Sequence, residues 1–268
     1  MLESAAALHR LPVFNEPREI HILSPDGTSW REGDVVVHAA RDGRDLVSVE
    51  GFLLTSLAET ALDLCRVLPP AFALAVADAS LRRLLPRGQA LDLSERGRSQ
   101  ANRRGLRQLD WVQERATSLS ESTGESVSRA VIEWLGYEEP ELQQKFFYEG
   151  VHDRSDFYWR RLRMIGESDG YGKYDADSVE HAKAHFIGEK LREDRLRRHE
   201  DGFVRWDWSD TVRWRPLDAK LGAGGLVAVR PQQRAMLATL ASNPRSLPWT
   251  PRNRANAPRQ GAWSPVSR

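Results

Sequence analysis

Apolar positions recur along this chain with two different periods, and the changes between them predict its elements. Val127, Ala130, Val131, Trp134 and Leu135 fall at i, i+3, i+4, i+7 and i+8, one stripe of an amphipathic helix. Gly136 is placed to stop that helix. The period then drops to two, and residues 143–149, 155–159 and 162–167 read as strands. A charged stretch over 181–200 reads as a long helix ended by Gly202, with 203–208 as one more strand. The order is helix, three strands, helix, strand.

Upstream, residues 3–9 look helical, and 18–23 and 35–39 read as strands around the turn-forming Pro25-Asp26-Gly27. Residues 52–54 form a short strand. Thr55 or Ser56 then caps a helix, with Glu59 as its capping-box partner. A second helix follows Pro69-Pro70 over 71–85, and a basic helix carrying Arg96, Arg98, Arg103, Arg104, Arg107 and Arg115 is expected over 94–117. Residues 118–124 are a polar linker. Beyond Ala219, residues 235–241 suit one short helix, and from Ser242 Pro, Arg, Asn and Ser dominate, a composition too poor in apolar surface to offset its ordering entropy. The expectation is an α/β (α+β) protein in three segments without internal repeats: a mixed segment over 1–117, a second α/β domain over 118–218, and a basic, mostly disordered tail over 219–268.

Composition narrows the class. Hydrophobic residues make up 40% and charged ones 29% of 268 residues, a globular balance. No run of eighteen apolar residues offers a membrane span, and Met1-Leu2-Glu3-Ser4 does not open a secretory signal. The single cysteine, Cys65, has no internal disulfide partner and lies in an apolar helical stretch, which fits a small buried hydrophobe in a reducing cytoplasm. The net charge of +1 hides an asymmetry: the last 50 residues carry eight basic and no acidic side chains, the first 218 a net of −7. Any nucleic-acid surface must therefore be local. The basic run over 94–117 reads as a solvated helix face ahead of a nucleic-acid contact, and that over 181–200 as a solvated helix laced with ion pairs such as Asp194–Arg198 ahead of a phosphate-tracking surface. Trp206, Trp208 and Trp214 suit the core. His181 and His185 have the i, i+4 spacing of a zinc pair but no third ligand in a known motif.

Candidate chemistry comes from strand geometry. With Arg160-Arg161 as a two-residue turn, Trp159 faces Leu162, Phe157 faces Met164 and Asp156 faces Ile165. Phe157, Trp159, Leu162 and Met164 then share an apolar face, while Asp156 and Glu167 are diagonal neighbours on the other, joined by Asp169 if the strand continues. Converging carboxylates repel unless a cation neutralises them. Mg²⁺ or Mn²⁺ with oxygen ligands does so, and can activate a water against a phosphodiester. The competing reading is a set of ordinary surface carboxylates at a strand end. Lys173 lies close by in sequence.

Arg154-Ser155-Asp156-Phe157-Tyr158-Trp159 and Gly166-Glu167-Ser168-Asp169-Gly170-Tyr171-Gly172-Lys173-Tyr174 resemble the core of the very-short-patch-repair-like branch of restriction-endonuclease-like proteins. Residues 189–196 and 204–210 are similar to its later helix and last strand, and Glu125-Ser126 with Arg129, Gly136 and residues 140–143 to its opening helix and first strand. The resemblance covers about 118–216. It implies Asp156 and Glu167 as metal ligands, Glu125 as an assisting helix carboxylate, and Asp169 and Lys173 near the reacting phosphate. The superfamily's acid-x-lysine is replaced here by Glu167-Ser168-Asp169, so Lys173 would stand in from a loop. Glu125 projects opposite the apolar stripe of its helix, towards solvent on that geometry.

Residues 4–12 and 49–64 resemble actinobacterial AbiEi-type antitoxins of type IV toxin–antitoxin systems, whose usual N-terminal winged helix is expected either to be missing here or to lie upstream of a misassigned start. Two functions follow as expectations: a Mg²⁺- or Mn²⁺-dependent DNA endonuclease, or a catalytically silent antitoxin or transcriptional regulator that keeps the nuclease fold as a scaffold and meets a nucleotidyltransferase-like toxin.

Overall fold

The computed structural model describes residues 1–170 and 179–247, with the side chains of 179–186 outside that description. The first part runs α1 (Leu2–Leu8), β1 (Ile20–Ser24), β2 (Trp30–Glu32), β3 (Val35–Ala39), β4 (Leu46–Val49), β5 (Phe52–Thr55), α2 (Leu57–Val67), α3 (Pro70–Leu84), α4 (Leu93–Ser99) and α5 (Leu106–Arg115). The second runs α6 (Thr123–Leu135), β6 (Glu141–Tyr148), β7 (Val151–Trp159), β8 (Met164–Asp169), α7 (Val179–His199), β9 (Gly202–Asp207), α8 (Trp208–Arg213), α9 (Arg215–Ala223) and α10 (Arg234–Ala238). The fold is a mixed α/β one.

Local chemistry explains most boundaries. Ser56 caps α2, its hydroxyl accepting from the Glu59 N–H. The Glu59 carboxylate does not close the capping box but meets Arg44 and Arg96 instead. The basic stretch expected as one helix over 94–117 is two: α4 stops at Ser99, where Gln100 turns extended, and Gly105 at φ 74° precedes the restart as α5. Its arginines are partly spent inside the molecule: Arg96 pairs with Asp45 and Glu59, Arg98 with Asp110, and Arg115 with Glu133.

In the second part, Ser122 caps α6 and Gly136 ends it in the left-handed conformation. A four-stranded sheet follows in the order β6-β7-β8-β9, antiparallel except for the parallel pair β8–β9. A parallel pair needs a crossover, which α7 supplies. Phe157, Trp159, Met164 and Trp206 join the core built by α3, α6 and α9, and the Trp206 indole N–H donates to Ser128 of α6 at 2.8 Å. The tryptophans at 206 and 208 are packing residues: Trp208 stacks beside Phe14 and Phe72. Against another part of the sheet Leu196 of α7 packs with Phe146, Tyr158 and Ile165.

The hairpin register differs from the expected one by two residues. Trp159 faces Met164, Tyr158 faces Ile165 and Phe157 faces Gly166. Neither Arg160 nor Arg161 takes the positive φ that a two-residue hairpin demands; a 3-10 turn over Arg160–Leu162 is used, with Arg163 at φ 45° closing it. An even shift leaves every side chain on its expected face. The chain's one cysteine behaves as expected: Cys65 is fully buried, and burial pushes its thiol well above the ordinary range.

One buried apolar cluster contains residues from Leu2 to Leu240 and so spans both parts. Asp78 of α3, wholly buried, pairs with Arg129 of α6 at 3.0 Å. Of the stretch after Ala219, expected to be mostly disordered, residues 219–247 are described and anchored at several points, and 248–268 lie outside the described residues. Leu221, Leu226, Leu237 and Leu240 are enough to anchor it, and Arg245 grips the buried Glu3 through both carboxylate oxygens. Among the described residues no helix is long and apolar enough to cross a membrane.

Candidate acidic site at the parting of two strands

The β7–β8 ladder stops at the Phe157–Gly166 pair. Continued one step, it would set Asp156 opposite Glu167. Instead Asp156 reaches across with its side chain, Oδ2 accepting from the Ser168 N–H at 3.0 Å. The β6–β7 ladder is interrupted at the same level, because the position of Gln143, between the Leu142–Phe157 and Gln144–Ser155 pairs, is unpaired. Asp156 therefore occupies a break in the sheet on both sides.

Gln143 is at φ 54°, in the middle of a strand. A non-glycine residue in that conformation costs roughly 1–2 kcal/mol. Its amide N–H donates to Glu125 Oε2 at 2.9 Å, which fixes the amide's orientation. The opposite atom, Oε1, is buried without a hydrogen-bond partner. An unmet buried acceptor costs about 1–3 kcal/mol.

Glu125 is 6% exposed and not turned to solvent, as its place opposite the apolar stripe had suggested. It stands in the first turn of α6, and the start of that helix lies against β8. A Cβ on Gly124 would come within 2.9 Å of the Ser168 hydroxyl, so a side chain there would force Ser168 to shift. Besides Gln143, Glu125 accepts from the Glu121 N–H at 2.8 Å. Burial, and then the charge of Asp156, raise the pKa of Glu125.

Glu167 is 7% exposed. Burial first, then the charge of Asp156, push it up to about 7, against the opposing pull of Arg192. Arg192 of α7 meets both Glu167 oxygens at 3.1 Å, also reaches Glu189 at 3.2 Å, and is held protonated by these acids. Asp169 leaves the group: its half-exposed carboxylate is taken by Arg205, which also binds Glu193. Lys173 lies outside the described residues, as do the side chains of His181 and His185. Asp194 acts on Arg198 electrostatically, as the expected pair requires, while the closer ion pairs of this helix are Arg198–Glu149 and Arg195–Asp153.

The structure thus brings Glu125 and Glu167 each within electrostatic reach of Asp156. Among the described residues, no three His, Cys, Asp or Glu side chains converge closely enough to hold a metal ion. Sequence reasoning missed Gln143 and Arg192. The signal for Gln143 was the polar pair Gln143-Gln144, which interrupts alternation between Leu142 and Phe146. For Arg192 it was its place one turn before Leu196, on the stripe that α7 turns to the sheet.

Two proteins of Mycobacterium tuberculosis, described as the uncharacterized protein MT2308 of strain CDC 1551 / Oshkosh and the uncharacterized protein Rv2248 of strain ATCC 25618 / H37Rv, are each 33% identical to this chain over 167 residues, 62% of its length. The chain spans about 60% of the length of these relatives. No family model matches the chain, and no solved structure does.

Proposed function

We propose that residues 118–218 are a restriction-endonuclease-like unit acting on DNA, with a phosphodiester-hydrolysing centre that takes Mg²⁺ or Mn²⁺. The observation that carries this reading is the gathering of buried Glu125 and Glu167 around Asp156 where the sheet parts. Carboxylate oxygens are the hard donors that such a cation prefers. Asp156 and Glu167 would hold the ion, Glu167 loosening from Arg192 to do so. When bound, the ion supplies an activated water and neutralises charge developing on the phosphate. Glu125 orients Gln143 and keeps negative charge near Asp156. Plasmid nicking in Mg²⁺ or Mn²⁺ tests the reading: wild type should nick and Asp156→Ala should not, and nicking that survives the substitution refutes the assignment.

A second reading rests on Arg192. Its guanidinium already neutralises Glu167, so the acid can be satisfied without an ion and the fold can serve as a scaffold. In that reading the chain is a DNA-associated regulator or antitoxin of the AbiEi type, supported by the resemblance of residues 4–12 and 49–64. Its partner would be a nucleotidyltransferase-like toxin. A pull-down with such a toxin, together with no nicking by wild type, would favour it. Failure to bind either DNA or toxin would count against it.

A further inference from the structure

We infer that the cleft between Trp214 and α10 binds an unpaired nucleotide of single-stranded DNA, its base stacking on Arg215 and its phosphate meeting Arg234. The inference rests on the reading of residues 118–218 as a DNA-acting unit, and deepens it by naming the form of DNA taken. The cleft has a volume of about 500 Å³ and is lined by Trp214, Arg215, Gln232, Arg234, Leu237 and Ala238. Ligand sites of proteins run from about 300 to 1,000 Å³. Its walls are held in place by the fold. Trp214 packs against the core, at φ 48° and ψ −39°, a backbone conformation that residues with a side chain rarely adopt. The other wall is tied to the end of α6: the Gln233 N–H donates to the Trp134 carbonyl at 2.7 Å, and the Arg230 N–H to that of Gly136 at 3.1 Å. Buried Leu237 roots α10.

The lining selects the ligand. The Arg215 guanidinium lies 4.5 Å from the centroid of the Trp214 ring, a cation–π pair. Trp214 is half-buried and Arg215 exposed, so the outer surface of the pair is a positive platform. A planar base stacks on such a platform through dispersion and cation–π attraction. Arg234, also exposed, adds a second guanidinium. Among the described residues neither arginine is in an ion pair, whereas the charges of Arg96, Arg115, Arg192 and Arg205 are met by acids. Gln232 donates to Asp218 at 3.4 Å, and the same carboxylate accepts from the Tyr137 hydroxyl at 2.6 Å, so that acid has partners of its own. A flat ring joined to a negative charge is what a nucleotide offers. A base inside a duplex does not present its face, so the strand must be unpaired. One short helix, α8, separates Trp214 from the end of β9, the strand that pairs with the one carrying Glu167.

The test is fluorescence anisotropy of a labelled oligothymidylate with the full chain, in chelator so that no cleavage intervenes. A duplex of the same length and thymidine monophosphate serve as competitors, and thermal melts run alongside. The variants are Arg215→Gln, Arg234→Gln and Trp214→Ala. Wild type should prefer the single strand to the duplex. R215Q and W214A should bind it about tenfold or more weakly, and R234Q more weakly with a shallower dependence on salt. R215Q and R234Q should melt with wild type, which separates lost binding from lost folding. Wild-type affinity in R215Q, equal affinity for the duplex, or no binding of the strand overturns the inference. Monophosphate bound as tightly as the strand also overturns it, a free nucleotide then being the occupant. Plasmid nicking separates the two readings: failure here with nicking intact leaves the DNA-acting unit standing, and neither binding nor nicking overturns both.

Discussion

At the residue scale the site is governed by what each carboxyl can afford to leave uncompensated. Glu167 keeps its proton up to about pH 7, against 4.5 for an ordinary glutamate. The folded chain therefore binds more protons at this position than the unfolded chain between those values. Its contribution to stability is complete below about pH 4.5 and is lost as pH rises through 7. Glu167→Gln cannot titrate, so the melting-temperature difference, wild type minus E167Q, should fall steadily from pH 5 to pH 8 in parallel thermal scans. A flat difference would mean that Arg192 holds Glu167 ionised throughout. Acids with the opposite shift answer at the other end of the scale. Glu3, gripped by Arg245, is drawn down to about 2, so its stabilisation is present above pH 4.5 and disappears as pH falls towards 2.

At the scale of elements, the legible parts were those whose local signals agree with their packing. The apolar stripe of α6, the Ser56 cap of α2, and the order helix, three strands, helix, strand could be read because periodicity and capping chemistry are local. The hairpin register could not, since it depends on which residue takes positive φ, and Arg163 gives no compositional hint of doing so. The break between α4 and α5 was missed because the dense run of arginines reads as one continuous helix face, while α4 ends at Ser99 and α5 restarts only after Gly105. Of the site, Asp156 and Glu167 were legible from alternation. The partners around them were not: Arg192 reaches Glu167 across 25 positions, and Gln143 reaches Glu125 across 18. Gly166 lets β8 lie beneath two tryptophans, and a Cβ there would fall 2.7 Å from Trp206 and 2.9 Å from Trp159. Gly166→Ala should therefore cost about 1–3 kcal/mol of stability by urea denaturation, with loss of near-ultraviolet circular dichroism from the displaced rings. An unchanged midpoint would show that β8 can shift freely.

At the scale of the whole molecule, one apolar core serves both parts, and the buried Arg129–Asp78 pair crosses between them. Calorimetry should accordingly show one unfolding transition, with the calorimetric enthalpy matching the van't Hoff value. Two resolved peaks would mean that α3 and α6 separate before either part melts. The shared core also bears on how freely such a unit can be traded between proteins. α6 positions Glu125 and also buries its other surfaces against α3, so its two duties cannot be parted by a cut at residue 117. A recombination event that transplanted residues 118–218 would carry the acids but leave their supporting wall behind. The acidic site is therefore not a cassette. Its inheritance is tied to that of the helices before it, and substitutions in α3, remote in sequence from any carboxylate of the site, belong among those that tune it.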